Sequence, residues 1–167
     1  MSSEKSDHET LWKLIKDIKF GMFTHRHANG TLHSHPLTTQ NSSLDEAATL
    51  YFFVSRKSEM AGQIVQDDQV NVAYTSPEDD SYVSVSGSAL IVEDMSKKEM
   101  LWSPMAQAWF PGGTTDPDLA LMQVRIGHAE YWDVKESKMV QMAKMVTAAL
   151  TGTPPKNMGE HKEIKMS

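Results

Sequence analysis

Four of the seven histidines, His25, His27, His33 and His35, fall within one short stretch of the chain. Neutral imidazole is a common ligand for transition metals, so such a cluster raises the question of a metal site. Within each pair the spacing is two residues, which puts both members on one face of a β-strand. The turn between the two pairs decides whether all four side chains can meet.

The dipeptide Asn29-Gly30 lies between the two pairs and is typical of a two-residue type I′ hairpin turn. Under that register the first two histidines face one side of the hairpin and the last two face the other. A three-residue loop would shift the register by one and bring all four together. Because the two-residue turn fits the sequence better, we predict polar strand positions near a barrel rim and no metal site. A histidine-based metal-binding barrel stays as an alternative.

A second candidate site is the segment Ser55-Arg56-Lys57-Ser58, which joins a buried strand to a helix. The N-terminus of a helix offers free N–H groups and a partial positive charge, and the hydroxyls and two cations would complete a phosphate cradle. The alternative is simpler: Ser58 caps the helix and the cations are solvated. These residues alone favour the cap.

The segment 103–117 contains three prolines and the pair Gly112-Gly113, which predicts a loop. Trp109 and Phe110 lie inside it and need a surface to pack against. They can pack on the core, at a subunit interface or against a flat aromatic ligand, and packing on the core or at an interface is the more common case.

Composition excludes several classes of protein. The chain has no cysteine, which rules out disulfide scaffolds, cysteine-ligated zinc or iron–sulfur sites and thiol catalysis, and which fits a cytoplasmic location. A formal net charge of −6 argues against general nucleic-acid binding. No apolar run is long enough for a membrane span, and no glycine fingerprint of a Rossmann unit or a P-loop follows a strand.

The hydrophobic patterns predict a mainly β chain with peripheral helices. Predicted strands cover residues 20–27, 31–40, 49–54, 70–75, 81–93 and 119–132, and predicted helices cover 11–18, 59–66, 96–102 and 135–150. Short turns between strands favour an antiparallel sheet closed into a small barrel. Gly87, inside a strand, indicates a bulge or a close backbone approach. We predict one domain over residues 1–150 and a flexible tail over 151–167.

Several segments, taken in chain order, resemble one known family. They are Ser34-His35-Pro36-Leu37-Thr38-Thr39-Gln40, Leu50-Tyr51-Phe52-Phe53-Val54-Ser55 with Ser58, Tyr82-Val83-Ser84-Val85-Ser86-Gly87, Trp109-Phe110-Pro111-Gly112-Gly113 with Asp116-Pro117, and Ala129-Glu130-Tyr131-Trp132. This chain resembles the pyridoxamine 5′-phosphate oxidase-like flavoproteins, and within them the general stress protein 26 group. The resemblance spans residues 8–150.

The resemblance implies a six-stranded split β-barrel that forms a homodimer with FMN, or another flavin, at the subunit interface. Expected cofactor contacts lie on the second hairpin strand, the third strand, the following helix start and three separate aromatic residues. They are His35, Pro36, Leu37, Thr38, Gln40, Phe53, Val54, Ser55, Lys57, Ser58, Tyr82, Trp109 and Trp132. The implied function is flavin binding, with flavin-dependent oxidoreductase activity on an unknown small molecule, and the alternative is a flavin-binding stress module without turnover.

Three departures from the family pattern qualify this expectation. His35 replaces an arginine and Met60 replaces a lysine, both of which normally serve the cofactor phosphate, although Arg56 and Lys57 lie nearby in sequence. Each lost charge-assisted hydrogen bond costs about 1.5–3 kcal/mol where nothing replaces it. Trp132 is not followed by the Arg-x-His motif of true pyridoxamine phosphate oxidases, which argues against that activity.

Overall fold

The computed structural model describes residues 2–45, 47–134, 138–155 and 159–166, which form strands joined mostly to one another, with helices between some of them. The helices are α1 (Ser2–Ile18), α2 (Glu59–Gln66), α3 (Met95–Leu101), α4 (Pro104–Trp109) and α5 (Lys138–Thr151), and a 3₁₀ turn covers Gly113–Thr115. The strands are β1 (Phe20–Arg26), β2 (Leu32–Thr38), β3 (Thr49–Ser55), β4 (Gln69–Ser76), β5 (Ser81–Val92), β6 (Leu119–Asp133) and β7 (Glu160–Lys165). Every strand predicted from the sequence is present, with its ends shifted by two residues at most.

The strands form one antiparallel sheet in the order β2-β1-β4-β5-β6-β3, with β7 added beside β6. The sheet curls until its two ends approach each other. There the backbone N–H of Gln40, just after β2, donates to the carbonyl of Tyr51 on β3 at 2.9 Å. The prediction of an antiparallel six-stranded split barrel is therefore confirmed.

The core fills the inside of this curled sheet. Alternate residues of each strand point inward, as the period of a strand requires. Fully buried examples are Phe23, Phe52, Val72 and Tyr131. The helix α1 begins well before the predicted Leu11, and its buried Leu11, Leu14 and Ile15 close one side of the barrel.

The hairpin between β1 and β2 differs from the prediction. The backbone N–H of His27 donates to the carbonyl of Thr31, so the loop has three residues and Gly30 alone takes a positive φ of 86°. Asn29 instead accepts the N–H of Thr31 on its side-chain oxygen at 3.0 Å. The usual three-residue hairpin loop is a type I turn followed by a residue in the left-handed conformation, the place that Gly30 takes here. The predicted two-residue register is wrong by one residue.

This register change gathers the histidines. His25 lies directly opposite His33, and His35 lies opposite Phe23. His25, His27, His33 and His35 consequently share the inward face of the hairpin, where the sequence analysis expected them to be divided between two faces.

Two predicted irregular segments contain regular structure. Within the predicted loop 103–117, Ser103 accepts the N–H of Ala106 and Pro104 occupies the first helical turn, so α4 forms. A capping serine followed by proline is a helix-start signal that the loop prediction overlooked. Within the predicted tail 151–167, β7 pairs with β6, although the sequence analysis placed no element there. Gly87 does mark a register shift between β5 and β6, as predicted.

The last predicted helix, over residues 135–150, is present as α5, but its apolar side chains lie in solvent. Met139 is 82% exposed and Leu150 is 83% exposed, and no described side chain of α5 is buried. The first three residues of the predicted helix, 135–137, lie outside the described ranges. Among the described helices, none combines the length and the apolar character needed to cross a bilayer.

Candidate functional site

A cavity of about 330 Å³ opens where the sheet fails to close, between β2 and β3. Its walls come from β2, from the end of β3, from the start of α2 and from α4. The lining residues are Pro36, Leu37, Thr38, Gln40, Phe53, Val54, Ser55, Ser58, Met60, Met105, Ala106, Trp109, Phe110 and Asp118.

The cavity exists because β2 and β3 meet at one end only. At that end, Asn41 donates to the carbonyl of Thr49 and accepts the N–H of Tyr51, each at 2.7 Å. Farther along, β2 is paired with β1 and β3 with β6, and in the described sheet no strand joins their free edges. Such edges carry unpaired backbone donors and acceptors, which can bind the polar rim of a planar ligand.

The helix α4 supplies the apolar cover. Phe110, at the end of α4, is almost fully buried, whereas Trp109 is 78% exposed at the cavity mouth. Phe53 on the opposite wall is backed by Trp102, with ring centroids 5.6 Å apart. Trp109 is therefore not a core residue of this chain.

Most of the predicted cofactor residues come together in this lining, and four do not. His35 turns instead toward His25, and Lys57 lies just outside the cavity on the β3–α2 turn. Tyr82 and Trp132 face each other across β5 and β6 on the outside of the sheet. A single chain does not bring these two aromatic residues to the cavity.

Several lining residues were not among those predicted from the sequence. Met105 and Ala106 were not predicted because the segment that forms α4 was expected to be a loop. Asp118 was not predicted because it lies 63 residues from Ser55, which it contacts, and no local pattern indicates such a contact. Its carboxylate accepts from the Ser55 hydroxyl at 2.7 and 2.8 Å and from the backbone N–H of Lys57 at 3.1 Å. These hydrogen bonds hold the pKa of Asp118 below its ordinary value, and the bond from the Ser55 hydroxyl has the largest effect.

The turn that was a candidate phosphate cradle is thus engaged by the protein itself. Ser58 caps α2 by accepting the N–H of Ala61, as the simpler interpretation predicted. Arg56 points away and donates to Glu93 at 2.7 Å and to the carbonyl of Leu119 at 3.2 Å. A phosphate placed at this turn would meet the charge of Asp118.

Met60 and His35, which replace the expected lysine and arginine, make contacts within the protein itself. Met60, at the position of the expected lysine, is buried against the core. His25, only 1% exposed, faces His35 at the position of the expected arginine. Burial, and to a smaller extent the neighbouring imidazoles, lower the pKa of His25, so this ring is neutral at neutral pH.

Comparisons with known proteins agree with this architecture. A sequence model described as pyridoxamine 5′-phosphate oxidase like matches residues 6–156. Protein bli-3 of Neurospora crassa is 26% identical over 156 residues, which cover 86% of this chain and 73% of that protein.

Two crystal structures superpose on the barrel. A general stress FMN/FAD binding protein from Xanthomonas citri is 32% identical, with a TM-score of 0.69, covering 80% of this chain and 92% of its own. General stress protein 26 from Bacillus anthracis, 23% identical with a TM-score of 0.65, covers 74% of this chain and 92% of its own and shares the fold. With the family match extending over nearly the whole described barrel, the chain belongs to the pyridoxamine 5′-phosphate oxidase-like family.

Proposed function

We propose that this protein binds a flavin, FMN in the first place, in the cavity between β2 and β3. The observation that carries the proposal is the cavity itself, which joins two free strand edges to an aromatic and thioether cover. A flavin ring needs this combination, because its faces are apolar and its pyrimidine rim is polar. The name of the Xanthomonas citri relative, an FMN/FAD binding protein, supports the same cofactor class.

Within this proposal the lining residues divide into two roles. Leu37, Phe53 and Trp109 would contact the ring faces and exclude water from them. Thr38 and Gln40 would supply polar contacts beside the β2 edge. When bound, a flavin would supply the redox chemistry, since the chain has no cysteine that could do so.

We extend the proposal to a homodimer, because the outer face of the sheet is incompletely covered. Phe20 and Met22 on β1 are 55% and 44% exposed, and Tyr82 and Trp132 are each 37% exposed. The strand registers place all four on this same outward face. An exposed apolar patch of this kind is typical of an interaction surface. A second copy packed there would bring Tyr82 and Trp132 toward a flavin site at the interface.

Flavin titration tests the binding proposal. Tag-free protein is titrated with FMN and with riboflavin, and binding is followed by quenching of flavin fluorescence. Replacing Trp109 by alanine is expected to weaken binding of both about fivefold, since one stacked aromatic pair contributes ~0.5–1.5 kcal/mol. Met100→Ala, an exposed apolar residue of α3, serves as the control and should leave affinity unchanged. Absence of saturable binding of either flavin at high micromolar concentration would refute the proposal.

The dimer is tested with a charge placed on the sheet face. Met22→Glu is expected to shift the protein from dimer to monomer in sedimentation velocity and to weaken flavin binding in parallel, because a carboxylate would be buried without a partner. Val65→Glu alters a residue of α2 that is 75% exposed, and it should leave both properties unchanged. A wild-type chain that sediments as a monomer with flavin bound would contradict the dimer.

One measurement distinguishes a flavin-dependent oxidoreductase from a flavin-binding module without turnover. In a flavin-dependent oxidoreductase, a nicotinamide or quinol donor would bleach the absorbance of the bound flavin under anaerobic conditions. In a binding module the flavin would stay oxidised with every donor, while dithionite would still reduce it. We favour the oxidoreductase, acting on a small molecule other than pyridoxamine phosphate, since no Arg-x-His motif follows Trp132.

A further inference from the structure

The four hairpin histidines form a cluster that the flavin proposal does not use. His25 and His35 approach most closely, with their Nε2 atoms 3.1 Å apart and their rings stacked at 5.2 Å. Two imidazole ligands on one tetrahedral ion, each bonded at 2.0–2.1 Å, hold their nitrogens about 3.3 Å apart. The present hydrogen bond between the two rings thus has nearly the spacing that a shared metal ion requires.

A third imidazole stands beside this pair. The ring of His33 lies 6.2 Å from that of His25, directly across the hairpin. Its Nε2 contacts the exposed hydroxyl of Thr31 at 3.1 Å, so this ring can turn toward His25 at the cost of one exposed hydrogen bond and of its stacking on His27. Three imidazoles from a strand pair at positions i, i+2 and directly opposite can converge on one point, because all three side chains share one face.

The surroundings of the cluster resemble those of a metal site. His25 Nδ1 lies 3.4 Å from the carbonyl of Arg26, which favours the tautomer with a bare Nε2. The ring of His27 stacks on His33 at 4.3 Å, and its Nε2 contacts the carboxylate of Glu59 at the start of α2. Ligand histidines commonly have carbonyl and carboxylate groups as such outer partners.

We propose that the β1–β2 hairpin is a binding site for a divalent transition metal ion of the zinc class, with His25, His33 and His35 as ligands. His27, which contacts Glu59 and stacks on His33, is a fourth imidazole on the same face of the hairpin. All-imidazole sites suit zinc, copper and nickel more than magnesium or calcium, which prefer oxygen. The binding of metal here is independent of the flavin, since none of these histidines lines the flavin cavity.

A second cluster offers an internal comparison. His128, Glu130 and Glu163, on β6 and β7, have ligand atoms within 4.8 Å of one another. His128 already pairs with Glu163 at 2.7 Å, and all three side chains are partly exposed. In this second cluster the ligand atoms are already gathered, whereas the hairpin needs His33 to turn. The hairpin is favoured by its ligand chemistry, because it supplies only imidazoles and buries one of them.

The experiment uses full-length, tag-free protein that has been stripped with chelator and contains no flavin. Co²⁺ titration reports a tetrahedral nitrogen site through its visible absorption bands, and Zn²⁺ competition against a chromophoric chelator gives the affinity. His33→Gln and His35→Gln are each expected to weaken Zn²⁺ binding by at least tenfold, since even outer partners of a metal contribute 10–100-fold. Both positions are at least partly exposed, so the fold tolerates the change.

His128→Gln is the matched control and should bind Zn²⁺ like the wild type. Three results would overturn the proposal. One is the absence of Co²⁺ bands and of Zn²⁺ binding up to 100-fold excess of metal. Another is loss of binding in His128→Gln with retention in His35→Gln, which would assign the metal to β6 and β7. The third is equal affinity in all three variants and the wild type. Each result is read without flavin, so it stands apart from the test of flavin binding.

Discussion

Replacing Asp118 by asparagine is expected to tighten FMN binding about tenfold while changing riboflavin binding little. The carboxylate sits on the Ser55 hydroxyl and the Lys57 N–H, the donors that a phosphate at the α2 turn would use. Its lowered pKa keeps it ionised at neutral pH, so its charge opposes a phosphate placed at this turn and weakens FMN binding there. Asparagine keeps the size and one accepting oxygen, removes the charge and replaces the second oxygen by an NH2 group.

Paired titrations with FMN and riboflavin measure this effect, because the two ligands share the ring and differ in the phosphate. Glu78→Gln, in the exposed turn between β4 and β5, removes the same unit of charge elsewhere and should leave both affinities unchanged. If Asp118→Asn tightened FMN and riboflavin equally, the carboxylate would act on the ring or on the turn geometry. If it tightened neither, the phosphate would bind away from this turn.

Replacing Gly87 by alanine is expected to lower the free energy of unfolding by about 3 kcal/mol or more. A Cβ at this position would lie 2.0 Å from the carbonyl oxygen of Arg125 and 2.9 Å from its carbonyl carbon. Both atoms belong to the backbone of β6, so no side chain can rotate away to relieve the contact. The register shift beside Gly87 brings the two strands this close.

Urea unfolding, followed by circular dichroism, measures the loss. Gly62→Ala is the matched control, because a Cβ there meets no atom within 4 Å and the position is inside α2. Alanine should stabilise that helix by about 0.5–1 kcal/mol. A free energy of unfolding for Gly87→Ala within 1 kcal/mol of the wild-type value would contradict this prediction. It would mean that β5 and β6 can move apart at little cost. Recovery of Gly87→Ala only from the insoluble fraction would agree with the expected loss.

Local patterns were sufficient for most of the fold. Alternating apolar residues predicted the strands within two residues, and the short turns between them predicted an antiparallel barrel. The helix cap at Ser58 and the irregularity at Gly87 were also predicted from the sequence, because each depends on one residue and its immediate neighbours. The segments that carried the family resemblance led to a cavity lined by most of the residues they named.

The errors share a physical cause. A loop at Asn29-Gly30 can have two or three residues, and the choice between them moves every side chain of β2 to the opposite face. The helix α4 depends on Ser103 and Pro104 within a segment whose other prolines and glycines indicate a loop. The strand β7 forms because β6 is long enough to pair with both β3 and β7 along one side.

By itself the sequence determined that this is an antiparallel barrel with a helix cap at Ser58 and no cysteine for redox chemistry. Only the tertiary structure decided which groups meet. It put Asp118 on the β3–α2 turn, drew Arg56 toward Glu93 and gathered four histidines on one face. Periodicity and capping act over a few residues and leave a mark in the sequence. Contacts between strands depend on register and on how far the sheet curls, which no local pattern encodes.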